Sequence, residues 1–295
     1  MATTARVAAF KALGACMEAL PERFDVAVAS TIAQRVGRRQ VAARAHLSAN
    51  LRQVLAAPGT SVSDALVEEF VDRGFRGYGQ YWAEGAKLPA LKKSTITDRF
   101  KIAEGLEHLL AAKERGRGII VALPHIGSWE WGGSFLDSLG LTMTAVAEEL
   151  DPPEFFAWFK KKREAIGIRI EPLNSHAGTV LLSTLREGGV VGLLCDRDLQ
   201  GDGVEVDFFS QRVTMPGGPA TLALRTGATL VAAACYSGPG RDHHAVVTPP
   251  IDTTRTSARL RDDVRRITQD VTRELEHLIR RAPEQWHVLQ PRFDS

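Results

Sequence analysis

The chain is short of cysteine, of lysine and of long apolar runs, and each shortage excludes a class of protein. Its three cysteines, Cys16, Cys195 and Cys235, are odd in number and lack metal-ligand spacing. Neither a disulfide framework nor a zinc module fits them, and they read as small buried residues in a reducing compartment. A bilayer-spanning helix needs roughly 18–20 consecutive apolar residues. The longest uncharged candidate towards the C-terminal half, Thr226 to Gly240, is too short and ends in Ser237-Gly238-Pro239-Gly240. After Met1 the chain meets Arg6 and Lys11 with no apolar leader and no small-residue cleavage site. The expected location is the cytoplasm, with any membrane contact peripheral. Lysine numbers only 9 against 28 arginines, within a formal net charge of +2. A GC-rich genome produces that bias. So does a need for guanidinium groups, which grip phosphate and carboxylate in a forked geometry. No aromatic residues interleave with the basic ones and no nucleic-acid motif is present, so a nucleic-acid partner is not expected.

What is present is an ordinary globular composition, 44% hydrophobic and 24% charged over 295 residues. Residues 5–56 carry helical periodicity. Val7, Phe10, Leu13, Met17 and Leu20 recur at three- and four-residue spacing, and Phe24, Val28, Ile32 and Val36 continue it beyond Pro21. Arg35, Arg38, Arg39, Arg44 and Arg52 follow closely. A basic amphipathic segment of this kind lies in a membrane interface or forms a solvated face over a core. Helical pattern continues from Ser61 to Leu110, interrupted near Gly85–Pro89.

The pattern then changes. Gly118–Leu123, Thr142–Ala147, Ile168–Pro172, Val190–Leu194, Leu230–Cys235 and Ala245–Val247 are short apolar runs, with helical patterns between most of them. Such alternation predicts an α/β fold, a central mainly parallel or mixed sheet flanked by helices. A last helix is expected from about Ser257 to Arg281, burying Leu260, Val264, Ile267, Val271, Leu275 and Leu278. The reading is an N-terminal amphipathic helical region, residues 1–110, packed on the core and facing the membrane. Residues 111–295 form the catalytic core, the two making one compact domain.

The stretch richest in chemistry is Leu123-Pro124-His125-Ile126-Gly127-Ser128-Trp129-Glu130-Trp131-Gly132-Gly133. His125 follows the first strong strand, at the sheet edge where α/β crevices form. Ser128 suits a helix N-cap, placing Glu130 in the first helical turn, where the macrodipole favours an anion. A carboxylate there can hold one ring nitrogen of His125 protonated and leave the other as a general base. Asp196 ends the Val190–Leu194 strand, on the same edge as His125 if the strands are parallel. Asp242-His243-His244 offers metal-ligand types but reads as a solvated turn, so no metal site is expected. Ser128 lacks the Gly-x-Ser-x-Gly elbow of a serine nucleophile.

Pro124-His125-Ile126-Gly127-Ser128-Trp129-Glu130 resembles the His-x4-Asp/Glu signature of the late acyltransferases of lipid A synthesis and their actinobacterial branch, the phosphatidylinositol mannoside acyltransferases. Further blocks agree in order: Arg76–Trp82, Lys162-Arg163-Glu164 with Gly167, Asp196–Leu199 with Gly201–Phe209, Pro216–Ala228, and Pro283–Trp286. The resemblance covers residues 5–292. It implies direct acyl transfer from a thioester to a glycolipid hydroxyl, with His125 as base, Glu130 as its orienting partner and Asp196 in a supporting catalytic role. It places Arg163 and Arg225 near the donor or the oxyanion. Glu148 is a candidate partner of Arg163, and Arg197 belongs to the same strand-end block as Asp196. The actinobacterial branch implies a long-chain acyl-CoA, typically palmitoyl, as co-substrate with no cofactor. Its acceptor is a mannose hydroxyl of phosphatidylinositol mannosides, reached at an anionic membrane surface. The alternatives are a lipid A acyltransferase using acyl carrier protein and a catalytically silent lipid-binding homologue.

Overall fold

Short β-branched runs separated by helices build one seven-stranded sheet in the computed structural model, which describes residues 2–56, 61–149 and 151–293, the side chains of residues 2–6, 9, 10 and 13 excepted. The strands are β1 (Phe100–Glu104), β2 (Ile119–Leu123), β3 (Met143–Ala147), β4 (Ile168–Pro172), β5 (Val190–Leu194), β8 (Thr229–Ser237) and β9 (His243–Val247), ordered β1-β9-β8-β2-β5-β3-β4. Strands β8, β2, β5, β3 and β4 run parallel. Strand β9 folds back antiparallel on β8, and β1 lies parallel to β9. A separate antiparallel hairpin joins β6 (Val204–Phe208) to β7 (Gln211–Met215).

Central strand β2 is buried at every position, because both faces of the sheet are covered. Ile120 and Ala122 face α9 (Ala177–Arg186), α10 (Gly218–Thr226) and α11 (Leu260–Arg281), packing with Leu185, Ala223 and Leu275. Ile119, Val121 and Leu123 face the other way, towards α6 (Leu106–Arg115) and α7 (Trp129–Ser138), packing with Leu109, Trp131 and Leu136. Helix α11 starts at Leu260 rather than Ser257, and Leu260 is exposed rather than part of the buried stripe.

The N-terminal helices are α1 (Ala2–Ala19), α2 (Glu22–Gly37), α3 (Val41–Leu55) and α4 (Asp64–Lys87), with α5 (Lys93–Arg99) leading into the sheet. Pro21 stands at the N-cap of α2, between the first two helices. Phe10 and Leu13, placed in the apolar stripe of α1, lie outside the described side chains. Helices α2 and α4 cross with their backbones touching: a Cβ on Gly79 would fall 2.5 Å from the carbonyl oxygen of Ala29. Asp25 of α2 is fully buried and pairs with Arg241 from the β8–β9 turn and with Lys87 at 3.5 Å. Lys87 also donates to the carbonyl oxygens of Glu18 and Leu20, closing the end of α1. Charge thus ties the first helices to the sheet edge. The sheet itself begins at residue 100, so the division expected at residue 110 falls after its first strand.

One face of α2 stays uncovered. Phe24, Val28, Ile32 and Val36, four residues apart, are 49%, 38%, 47% and 44% exposed. Among the described residues, no helix is long and apolar enough to cross a membrane.

Candidate active site

The register of two parallel strands creates the site. Leu123 at the end of β2 pairs with Leu194 at the end of β5, and the Cys195 N–H donates to the Leu123 carbonyl at 2.8 Å. The next residues out, His125 and Asp196, therefore meet above the strand ends, where crevices of α/β sheets form. Asp196 is fully buried. Its Oδ1 lies 2.5 Å from Nδ1 of His125, and its Oδ2 accepts the His125 backbone N–H at 2.8 Å and the Trp286 indole N–H at 2.7 Å. The Arg292 Nε–H donates to the Asp196 carbonyl at 2.7 Å. Burial by itself raises the carboxyl pKa, but the charge of His125 and the hydrogen bonds from His125 and Trp286 outweigh it and hold Asp196 below the ordinary carboxylate value. An ionised carboxylate only accepts, so Nδ1 of His125 carries the proton and Nε2 is left as the basic nitrogen.

The C-terminal segment forms the second wall. The Gly127 N–H donates to the Gln285 carbonyl at 2.9 Å, the His287 N–H to the His125 carbonyl at 2.7 Å, and Ile126 bridges to Trp286. Burial, then the charge of His125, pushes the His287 imidazole down to about 3, so its ring is neutral. That ring packs against Tyr78 and Tyr81, with centroids 5.6 and 5.5 Å away.

Glu130 occupies the first turn of α7, as expected, but Ser128 at the N-cap position makes no capping bond and its buried hydroxyl has no partner among the described residues. The expected pairing of Glu130 with the His125 ring does not form. Asp196 holds that ring, and Glu130 Oε1 accepts instead from the Tyr81 hydroxyl at 2.9 Å and from Arg163 at 3.1 Å. Arg163 comes from α8 (Pro153–Glu164) and stacks over Trp129 and Phe159, 5.1 and 5.4 Å from their ring centroids. Burial and then the Glu130 charge push the Tyr81 phenol well above its usual value, so it stays a donor. Burial lowers the Arg163 pKa, but the Glu130 charge together with Tyr81 and the hydrogen bonds to both outweighs it, and the net shift is upward.

The remaining expected residues divide. Glu148 sits exposed just past β3, and Arg163 has Glu130 as its partner rather than Glu148. Arg197 is half-buried and forms no ion pair with Asp196 among the described residues. Arg225 is not brought to the site. It is exposed in the last turn of α10, which leads into the start of β8, and Thr229 there pairs with Ile119 at the start of β2, the sheet edge opposite His125. His243 is not in a solvated turn: it opens β9, buried, stacked on Trp131 with centroids 4.1 Å apart. No group of metal-ligand side chains forms among the described residues. Sequence reasoning assigned no role to Tyr81, Trp286, His287 or Arg292. Tyr81 and Trp286 lie in family-like blocks, but nothing local relates them to residues 49 and 90 positions away.

Beside Glu130, Tyr81 and Arg163 a cavity of about 420 Å³ opens between α1, α2, α4 and α8. Apart from these three and a few polar groups, its walls are apolar, including Met17, Phe75, Trp82 and Trp158. Its volume is within the range of about 300–1,000 Å³ typical of small-molecule sites. Ile32 and Val36, exposed on α2, also line it, so the uncovered stripe runs into the cavity mouth. The His125–Asp196 pair connects to this cavity through His287, whose backbone N–H donates to the His125 carbonyl and whose ring packs on Tyr78 and Tyr81 of the cavity wall.

Comparison with known proteins agrees. The bacterial lipid A biosynthesis acyltransferase family matches residues 3–295. A protein of Mycobacterium tuberculosis named phosphatidylinositol mannoside acyltransferase is 37% identical over 251 residues, 84% of this chain and 76% of its own length. One of the same name from Mycolicibacterium smegmatis is 34% identical over 84% of this chain and 78% of its own length. A lipid A biosynthesis acyltransferase of Haemophilus influenzae is 25% identical over 74% of this chain and 67% of its own length. The chain belongs to the bacterial lipid A biosynthesis acyltransferase family.

Proposed function

We propose that this acyltransferase moves a palmitoyl-type chain from acyl-CoA to a mannose hydroxyl of a phosphatidylinositol mannoside, at the cytoplasmic face of the plasma membrane. The observation that carries the reading is the His125–Asp196 pair joined through His287 to Tyr78 and Tyr81 in the wall of an apolar cavity that the exposed stripe of α2 also lines. The names of the mycobacterial relatives support the acceptor.

In the proposed reaction Nε2 of His125 takes the proton of the sugar hydroxyl as its oxygen attacks the thioester carbonyl. The resulting tetrahedral intermediate collapses with cleavage of the carbon–sulfur bond. The proton held on His125 passes to the departing thiolate, giving ester and free CoA thiol. Asp196 stabilises the transient imidazolium and fixes the ring. Glu130, with Tyr81, holds Arg163 in the wall of the slot, where a partly buried cation favours developing negative charge. The acyl chain fills the apolar cavity.

A membrane-bound acceptor requires the enzyme to come to the bilayer, since each acyl CH₂ drawn into water costs about 0.8 kcal/mol. The α2 stripe supports shallow insertion, with exposed Arg23, Arg35 and Arg39 near the headgroups. Arg44 takes no part. It pairs with Glu68 at 2.5 Å and with Asp72 at 2.8 Å.

Mass spectrometry of the lipid formed from palmitoyl-CoA tests the reading, with phosphatidylinositol mono- and dimannoside and a lipid A precursor as competing acceptors. Acylated mannoside is the expected product. Transfer only from acyl carrier protein, only to the lipid A precursor, overturns it.

A further inference from the structure

Three glycines of α2 and α4 line the apolar cavity, and packing explains two of them. A Cβ on Gly79 would lie 2.5 Å from the Ala29 carbonyl oxygen, and one on Gly37 would lie 2.4 Å from the Phe75 ring, so both let α2 sit against α4. Gly85 has no such reason. A Cβ there meets nothing within 4 Å, and its backbone is not among the left-handed glycines. It also stands inside α4, where glycine is a poor helix former. Whatever side chain occupied position 85 would occupy cavity space.

Its place along the slot is informative. The α4 wall of the cavity runs from Phe75, where Val36 and Gly37 of α2 lie, through Tyr81, bonded to Glu130, to Gly85 and Ala86. Gly85 lies one turn further along the same helix face, about 6 Å on at 1.5 Å per residue. At this level Met17 of α1 packs with Ala83 and Ala86, and beyond it α1 and α8 close together: Gly14 abuts Trp158, and Glu18 pairs with Lys162 at 2.8 Å. Gly85 thus stands towards the end of the slot away from Val36 and Gly37, where the methyl end of a chain would lie.

We propose that Gly85 is a specificity-determining residue: lacking a side chain, it keeps the far end of the slot open and sets the acyl length the enzyme accepts. The inference rests on the assignment of this cavity to the donor's acyl chain. It predicts that a side chain at position 85 shortens the preferred donor without weakening the fold.

The test compares kcat/KM for decanoyl-, lauroyl-, myristoyl-, palmitoyl- and stearoyl-CoA in wild type, Gly85→Ala and Gly85→Leu, with one phosphatidylinositol mannoside acceptor and melting curves for each protein. One methylene too many in an apolar pocket costs about 10–200-fold. The palmitoyl-to-lauroyl ratio should therefore fall about tenfold or more in Gly85→Leu and less in Gly85→Ala, with the melting temperature unchanged or raised. An unchanged ratio, or a uniform loss at every length, overturns the proposal. If Gly85→Leu does not fold, the Gly85→Ala ratio decides by the same criterion. A wild-type protein that transfers no acyl chain sinks the acyl-transfer reading itself and this inference with it. Normal wild-type turnover with unaltered chain preference in the variants sinks the inference alone.

Discussion

Asp196 grips His125 at two points, the ring through Oδ1 at 2.5 Å and the backbone N–H through Oδ2 at 2.8 Å. The double contact fixes the tautomer and position of the base at once. His125→Ala should lower turnover by about 10²–10⁴-fold, with folding retained, since a base at a crevice mouth adds little to the core. Asp196→Asn should lose comparable activity and also stability, because Trp286 donates to the same carboxylate. The pH dependence has a definite sign. The folded pKa of Asp196 is depressed, so its stabilisation is present above the ordinary carboxylate value and is lost as pH falls through the lower folded value. Acid unfolding of Asp196→Asn should lack that component. Wild-type turnover by folded His125→Ala protein would refute the base assignment.

Glu130 is buried and its partner Arg163 partly so, and removing one partner of a buried pair costs up to about 3–5 kcal/mol. Glu130→Ala should therefore lower both stability and turnover. The double variant Glu130→Ala/Arg163→Met should regain stability but not activity, a non-additivity that a double-mutant cycle measures. Glu130→Gln retains an acceptor and should slow turnover with a smaller loss of melting temperature. If Glu130→Ala melts like wild type, the pair contributes little to the fold.

Tyr81→Phe removes the hydroxyl that donates to Glu130 and interacts with Arg163, and leaves the ring in the cavity wall. Loss of a hydrogen bond to a charged group is worth about 1.5–3 kcal/mol, and the defect should appear in kcat rather than in acyl-CoA affinity. Unchanged kcat would show that Arg163 alone suffices to hold the carboxylate.

Glu84 is buried 3.6 Å from His243, and its Oε2 has no hydrogen-bond partner among the described residues. Burial raises its carboxyl to about 7. A raised carboxyl stabilises the fold fully below its unfolded value of 4.5 and loses that contribution as pH rises through about 7. Glu84→Gln should flatten the fall in stability between those limits. The difference at pH 8 is on the order of 3 kcal/mol in favour of the variant. Parallel stability–pH curves for the two proteins would contradict this.

Binding to anionic vesicles should weaken with salt, because each exposed basic residue near the surface contributes about 1 kcal/mol through a screened interaction. Charge reversal at Arg35 and Arg39 should reduce activity on vesicles but not on detergent-dispersed acceptor. Arg38 is a weaker choice, since it already pairs with Asp72 at 3.3 Å. Ile32→Ser should act in the same direction by removing apolar area at the cavity mouth. Equal binding to neutral and anionic vesicles would leave α2 as a solvated face.

By itself the sequence determined the alternation of elements and singled out His125 as the proposed base. Six of the seven sheet strands are visible as apolar runs, five because inner strands bury both faces and edge strand β4 because Ile168 and Ile170 are buried, and His125 stands out because it follows one of them. Edge strand β1 is not visible, since only Phe100 among its residues is buried and the period-two signal is lost. The β6–β7 hairpin is silent for a related reason: its turn places Phe209 and Ser210 at φ 49° and 63° without the Asn-Gly pair that usually marks such a turn. Only the tertiary structure decided which carboxylate serves His125. Glu130 is five residues away and faces Arg163, whereas Asp196 is 71 residues away and arrives through the pairing of β2 with β5. It likewise decided that Arg225 stands at the wrong edge of the sheet, and that α2 leaves an apolar stripe open beside the slot. Proximity in the chain fixes neither side-chain direction nor strand register, and both follow from how the two halves of the sheet close their common core.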